Sequence, residues 1–560
     1  MKKILSLFIL SMLFSCKEDI LDVSPKGTLS EVQVAKGSEQ LVIAAYSSLG
    51  NDHYDTPWSL WPYGNVRSGD AYKGGRDEAD IQEFYFLETF KNVRSDIGQF
   101  DGLWFQYYVA ISRVNAAIAN LKQLPDTDAI KNKRLAEMYF IRGHWYFQLK
   151  ILFKYIPYID DTVPTNDYVK ISNRDLSNDE LWEKIASDFQ KALDVLPSTQ
   201  SEIGRPTKFA AAAYLAKTRL YQAYQQDETN NVTGIKASHL EQVISLADMV
   251  LSSGYGLESD FARNFILDTK NGVESIFAVQ FSKDDLTQFG RLNFGDVLGT
   301  PQGIGCCDFH KPSQNLANAF KTSASGLPQL NDFNTSNLDL GANTVDPRLN
   351  HTVALPGLPW KYDVNTIFRN EWTRTPDVYG YFASLKENVQ RNQYIQLGPF
   401  YGNTKNRIIL RYADVVLWKA EALIELNRQN EALPLINQIR TRAKNSTALL
   451  RNSNGTPQAN YNVDTYKPGV NCTWTNEFAR QALRFERRLE FAMEGSRFFD
   501  LVRWGIAHVY LDDYFTVEKT RRAYLKDGKF TKNRDEYLPI PLNQIRFSKG
   551  VYKQNAGYLQ

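Results

Sequence analysis

The stretch ERRLEFAMEGSRFFDLVRW, residues 486–504, interleaves acids, arginines and apolar residues, and its reading decides what kind of protein this is. Laid on a helix, Arg487, Glu490, Glu494 and Arg497 fall within about a quarter of the circumference with the two acids between the two arginines, which is the pattern of an interlocked salt-bridge face. A catalytic carboxylate pair needs an open cleft and divergent pKa values, and an arginine on each side keeps both acids ionised. The stretch therefore reads as scaffold, with no catalytic residue in it.

Outward from it, apolar and small residues recur at three- and four-residue spacing over 101–124, 129–154, 177–196, 206–226, 237–253, 411–428, 430–445 and 475–494. This spacing predicts a mostly α protein. Helix starts are legible: Ser177 or Asn178 precedes an acidic first turn in LSNDELWEKI, and Pro206 and Thr207 open GRPTKFAAAAYLAK. Two successive pairs place small residues where backbones must approach, FAAAAYLAKTRLYQAY before HLEQVISLADMVLSSGY and YADVVLWKAEALIELNRQ before NEALPLINQIRTRA. Both look like tetratricopeptide units of roughly 34 residues.

Between about 255 and 410 the pattern gives way to short extended runs such as ESIFAVQFS, separated by Gly, Pro, Asn and Asp. Such a region is read as functional loops displayed on a helical body. Residues 51–98 have the same irregular, aromatic-rich character and are expected beside it. Aromatics make up 13% of the chain, and several stand in loops, as in DTPWSLWPYG and LPGLPWKYD, where exposed rings could cover sugar faces or peptide side chains. Trp104, Trp145 and Trp418 fall in periodic helices and are expected in the core.

Candidate ligand residues follow from this. Trp61, Trp372 and Tyr401 are expected to stack on ligand, while Asp52, Asp70 and Arg374 are expected to hydrogen-bond it, because carboxylates and guanidiniums engage neighbouring hydroxyls in pairs. Cys306 and Cys307 are adjacent in GIGCCDFHKP. They are either a vicinal disulfide, which would make a rigid apolar sulfur platform, or two reduced or buried thiols. A metal site with Asp308 and His310 is the weaker third reading, since ligands this close rarely converge tetrahedrally. Cys472 stands alone and is expected to be buried.

The N-terminus opens with Lys2 and Lys3 and runs apolar from Ile4 to Phe14, too short to span a bilayer. Leu13, Phe14, Ser15 and Cys16 resemble a bacterial lipobox, so residues 1–15 are expected to be a lipoprotein signal peptide and Cys16 an acylated anchor. Residues 16–35 then form a tether, and Lys17, Glu18 and Asp19 look like a short signal for export to the cell surface. The balance of 65 basic and 63 acidic residues leaves no field to capture a polyanion, which argues against nucleic acid as a partner.

The 486–504 stretch closely resembles the C-terminal signature of the SusD/RagB family of outer-membrane nutrient-binding lipoproteins. LRYADVVLWKAEALIELN, INQIRTRA and the ending LPIPLNQIRFSKGVYKQNAGY support the resemblance, as do LVIAAYSSL and RSGDAY near the start. The ending departs in one position, with Ala556 where the family usually has proline. The resemblance implies a SusD-like fold over residues 36–560, with four tetratricopeptide-like helix pairs and a loop-rich ligand-binding face. It implies capture of a glycan, or of peptides in one branch, and delivery to a SusC-like TonB-dependent transporter, without catalysis and without a cofactor. A sulfur platform with few exposed tryptophans suits a small, flexible furanose polymer, so levan or another fructan is the expected ligand. A surface glycosidase, the competing reading, needs two carboxylates at a hydrolytic spacing.

Overall fold

The computed structural model describes residues 37–125, 130–283 and 291–559. The expected signal peptide, the anchor at Cys16 and the tether lie outside the described residues. Among the described residues no helix is long and apolar enough to cross a membrane.

The principal helices are α1 (Ser38–Ser47), α2 (Gln82–Thr89), α3 (Gly98–Leu121), α4 (Lys131–Phe153), α5 (Asn178–Val195), α6 (Lys208–Ala223), α7 (Ala237–Leu251), α8 (Tyr412–Glu425), α9 (Gln429–Asn445), α10 (Asn476–Glu490), α11 (Arg497–Arg503) and α12 (Ala507–Arg521). Of these, α3 to α10 form where apolar periodicity placed them, with ends moved by a few residues, whereas periodicity did not place α1, α11 and α12, nor α2, which lies in the stretch read as irregular. From α3 to α8 each helix packs on the next, and α8 then contacts both α9 and α10, so the run from α3 to α10 stacks as four helix pairs. Helix α5 shows why. Its Leu181, Trp182, Ile185, Ala186, Phe189, Ala192 and Leu193 are buried along one stripe. Ser177 caps it by accepting from the Glu180 amide, and the Glu180 side chain accepts from the Ser177 amide in return. Thr207 caps α6 through the Ala210 amide, and Ala210 to Ala213 are buried where α6 meets its neighbours. Trp104, Trp145 and Trp418 lie in the core as expected.

The irregular regions lie together. Strand β1 (Ala71–Gly74) pairs antiparallel with β3 (Phe309–Pro312), setting Tyr72 opposite Lys311. β2 (Ser275–Val279) pairs antiparallel with β6 (Arg407–Arg411), which feeds directly into α8. The hairpin of β4 (Ile395–Leu397) and β5 (Phe400–Gly402) sets Gln396 opposite Tyr401. The main apolar cluster reaches from Val42 to Tyr552, and a small separate cluster of Ala354, Trp360, Phe368, Trp372, Ala383 and Leu385 supports the loop face.

The signature stretch is scaffold, but its geometry differs from the single helical face read from spacing. Helix α10 ends at Glu490; Met493 and Gly495 then adopt positive φ before α11 begins at Arg497. Arg487, Glu490, Glu494 and Arg497 therefore find partners elsewhere and not in one another. Glu490 is buried among the guanidiniums of Arg348 (3.0 Å), Arg411 (2.5 Å) and Arg442. Glu494 meets Arg411 (3.0 Å) and Lys386 (2.6 Å), and Arg487 meets Asp500 (2.8 Å). Arg497 donates to the Arg484 carbonyl and lies over Tyr510. Burial works against ionisation of Glu490, but Arg442, Arg411 and Arg348 hold its carboxyl well below the usual range. Gly495, at φ +82°, donates its amide to Asn65 at 2.9 Å, and its carbonyl passes so close to Gly64 that a Cβ there would clash. The signature turn thus locks the Trp58–Asn65 loop onto the helical body.

Candidate functional site

The structure brings Cys306, Cys307, Trp372, Arg374 and Tyr401 to one face. Cys306 and Cys307 are joined as a vicinal disulfide, the first buried and the second half-buried. Their loop folds back on Thr300, whose carbonyl accepts from the amides of Cys307 (3.2 Å) and Asp308 (2.9 Å). The Thr300 hydroxyl donates to the Tyr401 carbonyl at 3.1 Å, fastening the β4–β5 hairpin to the disulfide loop. The ring of Tyr401, half-buried, lies against Gly305, which at φ +140° leaves no room for a side chain. On the other flank the indole of Trp372 covers Gly303, with the Arg391 guanidinium 5.8 Å from its ring. Trp372 is itself buried against Trp360 and Phe368, which corrects the expectation of an open stacking ring at this position.

Beneath the loop, Asp308 is a buried post. Its carboxylate accepts from Lys311 at 2.7 Å and from the Arg374 amide at 2.8 Å. Burial pushes the Asp308 carboxyl up and the Lys311 ammonium down, against the pull of each on the other. His310, beside Lys311 in the same strand, accepts at Nε2 from the Asn65 amide nitrogen at 2.8 Å, which leaves Nδ1 to donate to Glu387 at 2.8 Å. Burial opposes ionisation of Glu387, yet His310 and Ser384 hold its carboxyl below the usual range. Asp308 and His310 thus serve as posts for the loop, and this geometry replaces the metal reading. The exposed Arg374 side chain reaches Asp80 at 3.1 Å, which ties the β1 loop to the same face.

Asp52, Trp61 and Asp70 are corrections, because none is a solvated loop group. Asp52 is buried, accepts from Arg407 at 2.8 Å and caps the turn at the Trp58 amide. Asp70 is buried against Arg488 at 2.8 Å. Trp61 is 2% exposed and stacks on His310 with ring centres 5.0 Å apart. The loop aromatics Trp58, Tyr63 and Trp360 are buried as well. They pin their loops, as when Trp58 meets Trp145 of α4 edge-on at 4.8 Å. Cys472 is half-buried rather than buried.

Spacing alone did not reveal several neighbours of the face. Asp80 and Arg391 are ordinary loop charges in the sequence. His53, Tyr54, Phe294 and Phe400 form a half-buried aromatic cluster, with Tyr54 and Phe400 rings 4.9 Å apart, beside Tyr401. The only signal for it was the aromatic pair Phe400 and Tyr401 in a predicted loop.

A chain built this way has close counterparts. Residues 273–558 match the model of the SusD family, and residues 19–220 match a family described as starch-binding and associating with the outer membrane. The SusD-like protein P2 of Formosa agariphila is 24% identical over 568 residues, covering 99% of this chain and 99% of that one. A SusD homolog from Bacteroides thetaiotaomicron superposes with a TM-score of 0.69 at 18% identity, covering 95% of this chain and 99% of the other. Surface glycan-binding protein A from the same organism, in complex with laminarihexaose, superposes with a TM-score of 0.63 at 20% identity, covering 93% and 99%.

Proposed function

The chain belongs to the SusD family, whose model spans residues 273–558, and on that premise we propose that it is a lipid-anchored glycan-binding protein of the outer cell surface. The observation that carries this reading is the convergence of the Cys306–Cys307 disulfide and Tyr401, backed by the buried Trp372, with the polar Arg374 and Arg391 around them. An apolar sulfur platform and an aromatic ring cover the C–H face of a sugar by burying area, and guanidinium groups orient its hydroxyls. Shallow sites of this kind release ligand readily, as handover to a TonB-dependent transporter requires. The similarity to a laminarihexaose-binding protein supports the glycan class.

Within that class the narrow platform, with one half-buried tyrosine in place of a broad aromatic arc, favours a thin, flexible chain, and our choice is a fructan. Binding rather than hydrolysis is supported by the acids of the face: Asp308 is engaged by Lys311, and Asp80 by Arg374. The test is calorimetry of the chain beginning after Cys16 against levan, inulin, laminarin, starch, xyloglucan and casein peptides. Heat from levan or inulin supports the proposal in full. Heat from another glycan keeps the class and replaces the ligand, whereas heat from the peptides alone overturns both.

A further inference from the structure

Away from the disulfide face, the end of α9 and the loop after it flank an open groove of about 920 Å³, which shares no lining residue with that face. Its volume falls among those of ligand clefts, roughly 300–1,000 Å³. Residues 459–464 run through the groove, extended from Asn460 to Asp464. The Val345 amide donates to the Asn460 carbonyl at 3.0 Å, the Asn462 amide to the Val345 carbonyl at 3.1 Å, and the Asp464 amide to the Gly326 carbonyl at 3.0 Å. The Asn462 side chain donates to the Ser323 carbonyl at 3.2 Å, and Arg440 donates to the Asp464 carbonyl at 2.7 Å. One edge of this strand is thus fixed to the body of the protein.

The other edge is open. In an extended chain successive residues turn their backbone groups to opposite sides, so those of Tyr461 and Val463 face away from Val345 and Gly326. Both residues line the groove, and among the described residues their N–H and C=O groups have no hydrogen-bond partner. The charges of the groove are unequal as well. Lys444, Arg451 and Lys467 stand there against one carboxylate, Asp464, which Lys467 meets at 2.6 Å and Lys444 at 3.8 Å. Arg451 is exposed; its carbonyl accepts from Gln458, but its guanidinium has no acceptor among the described residues. Val470, 81% exposed, adds an apolar contact to the same groove.

We propose that this groove is a docking site for an extended acidic segment of another protein, which adds as a strand to the Tyr461–Val463 edge and sets its carboxylates on Arg451, with Lys444 and Lys467 beside it. The open edge selects a peptide over a sugar, because a peptide backbone repeats N–H and C=O groups at the strand's own two-residue interval. The excess of cations selects acidic side chains, which an unpaired guanidinium binds through charge-assisted hydrogen bonds. Such a contact lies apart from the disulfide face and leaves that face open to glycan.

The probe is a fluorescein-labelled octapeptide of alternating threonine and glutamate, titrated with the chain beginning after Cys16 and followed by anisotropy. Saturable binding is expected, weakened about tenfold or more by Arg451→Glu. The same peptide with every amide N-methylated keeps its charges and loses its N–H donors, and it is expected not to bind. A peptide of alternating threonine and lysine is expected not to bind either. No binding of the glutamate peptide overturns the proposal, as does equal binding of the N-methylated or the lysine peptide, or an affinity unchanged by Arg451→Glu. Displacement of the glutamate peptide by trigalacturonate at a lower concentration than by unlabelled peptide assigns the groove to acidic glycan and overturns it too. Should Arg451→Glu not fold, Arg451→Ser takes its place in the same comparison.

Discussion

Around Glu490 the charged side chains are buried and meet opposite charges from distant elements, three guanidiniums on one carboxylate. Around Cys306 the buried charges, Asp308, Lys311, His310 and Glu387, hold a loop from below, while Tyr401, Arg374 and Arg391 stand toward solvent. The difference teaches how to sort charged and aromatic residues in this fold. A group whose partners come from the body of the protein is structure, and removing it costs stability. A group that is positioned by such posts but left open to solvent is available to ligand, and removing it costs affinity.

The sharpest way to break this distinction is Glu490→Gln, which leaves guanidiniums facing one another in the core. Loss of one partner of a buried ion pair costs about 3–5 kcal/mol, read as a lowered midpoint in urea with an unchanged slope. A loss below about 1 kcal/mol would show that the network is dispensable. Of similar size is Trp61→Ala, expected to cost about 3–5 kcal/mol of stability as a core truncation. Its effect on glycan titration of the folded fraction is expected to be small, because its ring faces His310 and not solvent.

Tyr401→Ala should behave in the opposite way. Loss of one stacking ring costs about 1.4 kcal/mol of binding, about tenfold in Kd, with the unfolding midpoint almost unchanged. Equal effects of the two ring deletions on affinity would erase the comparison.

The acid limb of the stability profile sharpens it further. Glu490 is depressed in the folded protein relative to its ordinary 4.5, so its stabilising contribution is complete above that pH and is lost as pH falls below it. Glu490→Gln is therefore expected to flatten the fall in stability below pH 4.5, measured by urea unfolding at a series of pH values. The smallest effect is expected at the α5 cap, where Ser177→Ala removes one capping bond, worth about 1 kcal/mol, without changing glycan binding.

Much of the fold was legible because its helices are long and amphipathic, so that burial repeats locally in the sequence. The stripe of α5 and the alanines of α6 state their environment within one element. Long-range partners leave no such trace. Asp52 finds Arg407 across 355 residues and Asp70 finds Arg488 across 418, so spacing could not show that both carboxylates were already engaged. The same limit explains the signature: its mixed charges were visible, but the chain reversal at Met493 and Gly495, which turns them to partners on other elements, was not. Within the site, the adjacent cysteines were conspicuous because vicinal pairs are rare by composition. The posts beneath them were only half visible: Asp308 and His310 stood out, but as candidate metal ligands, because their true partners Lys311 and Glu387 look in sequence like ordinary charges.

The most direct test of the central claim is a crystal structure of the chain with an oligosaccharide of whichever glycan gives heat in calorimetry. A sugar ring is expected to lie on the Cys306–Cys307 disulfide and Tyr401, with a hydroxyl within hydrogen-bond reach of Arg374 or Arg391. A well-ordered sugar bound elsewhere, with this face empty, would contradict it.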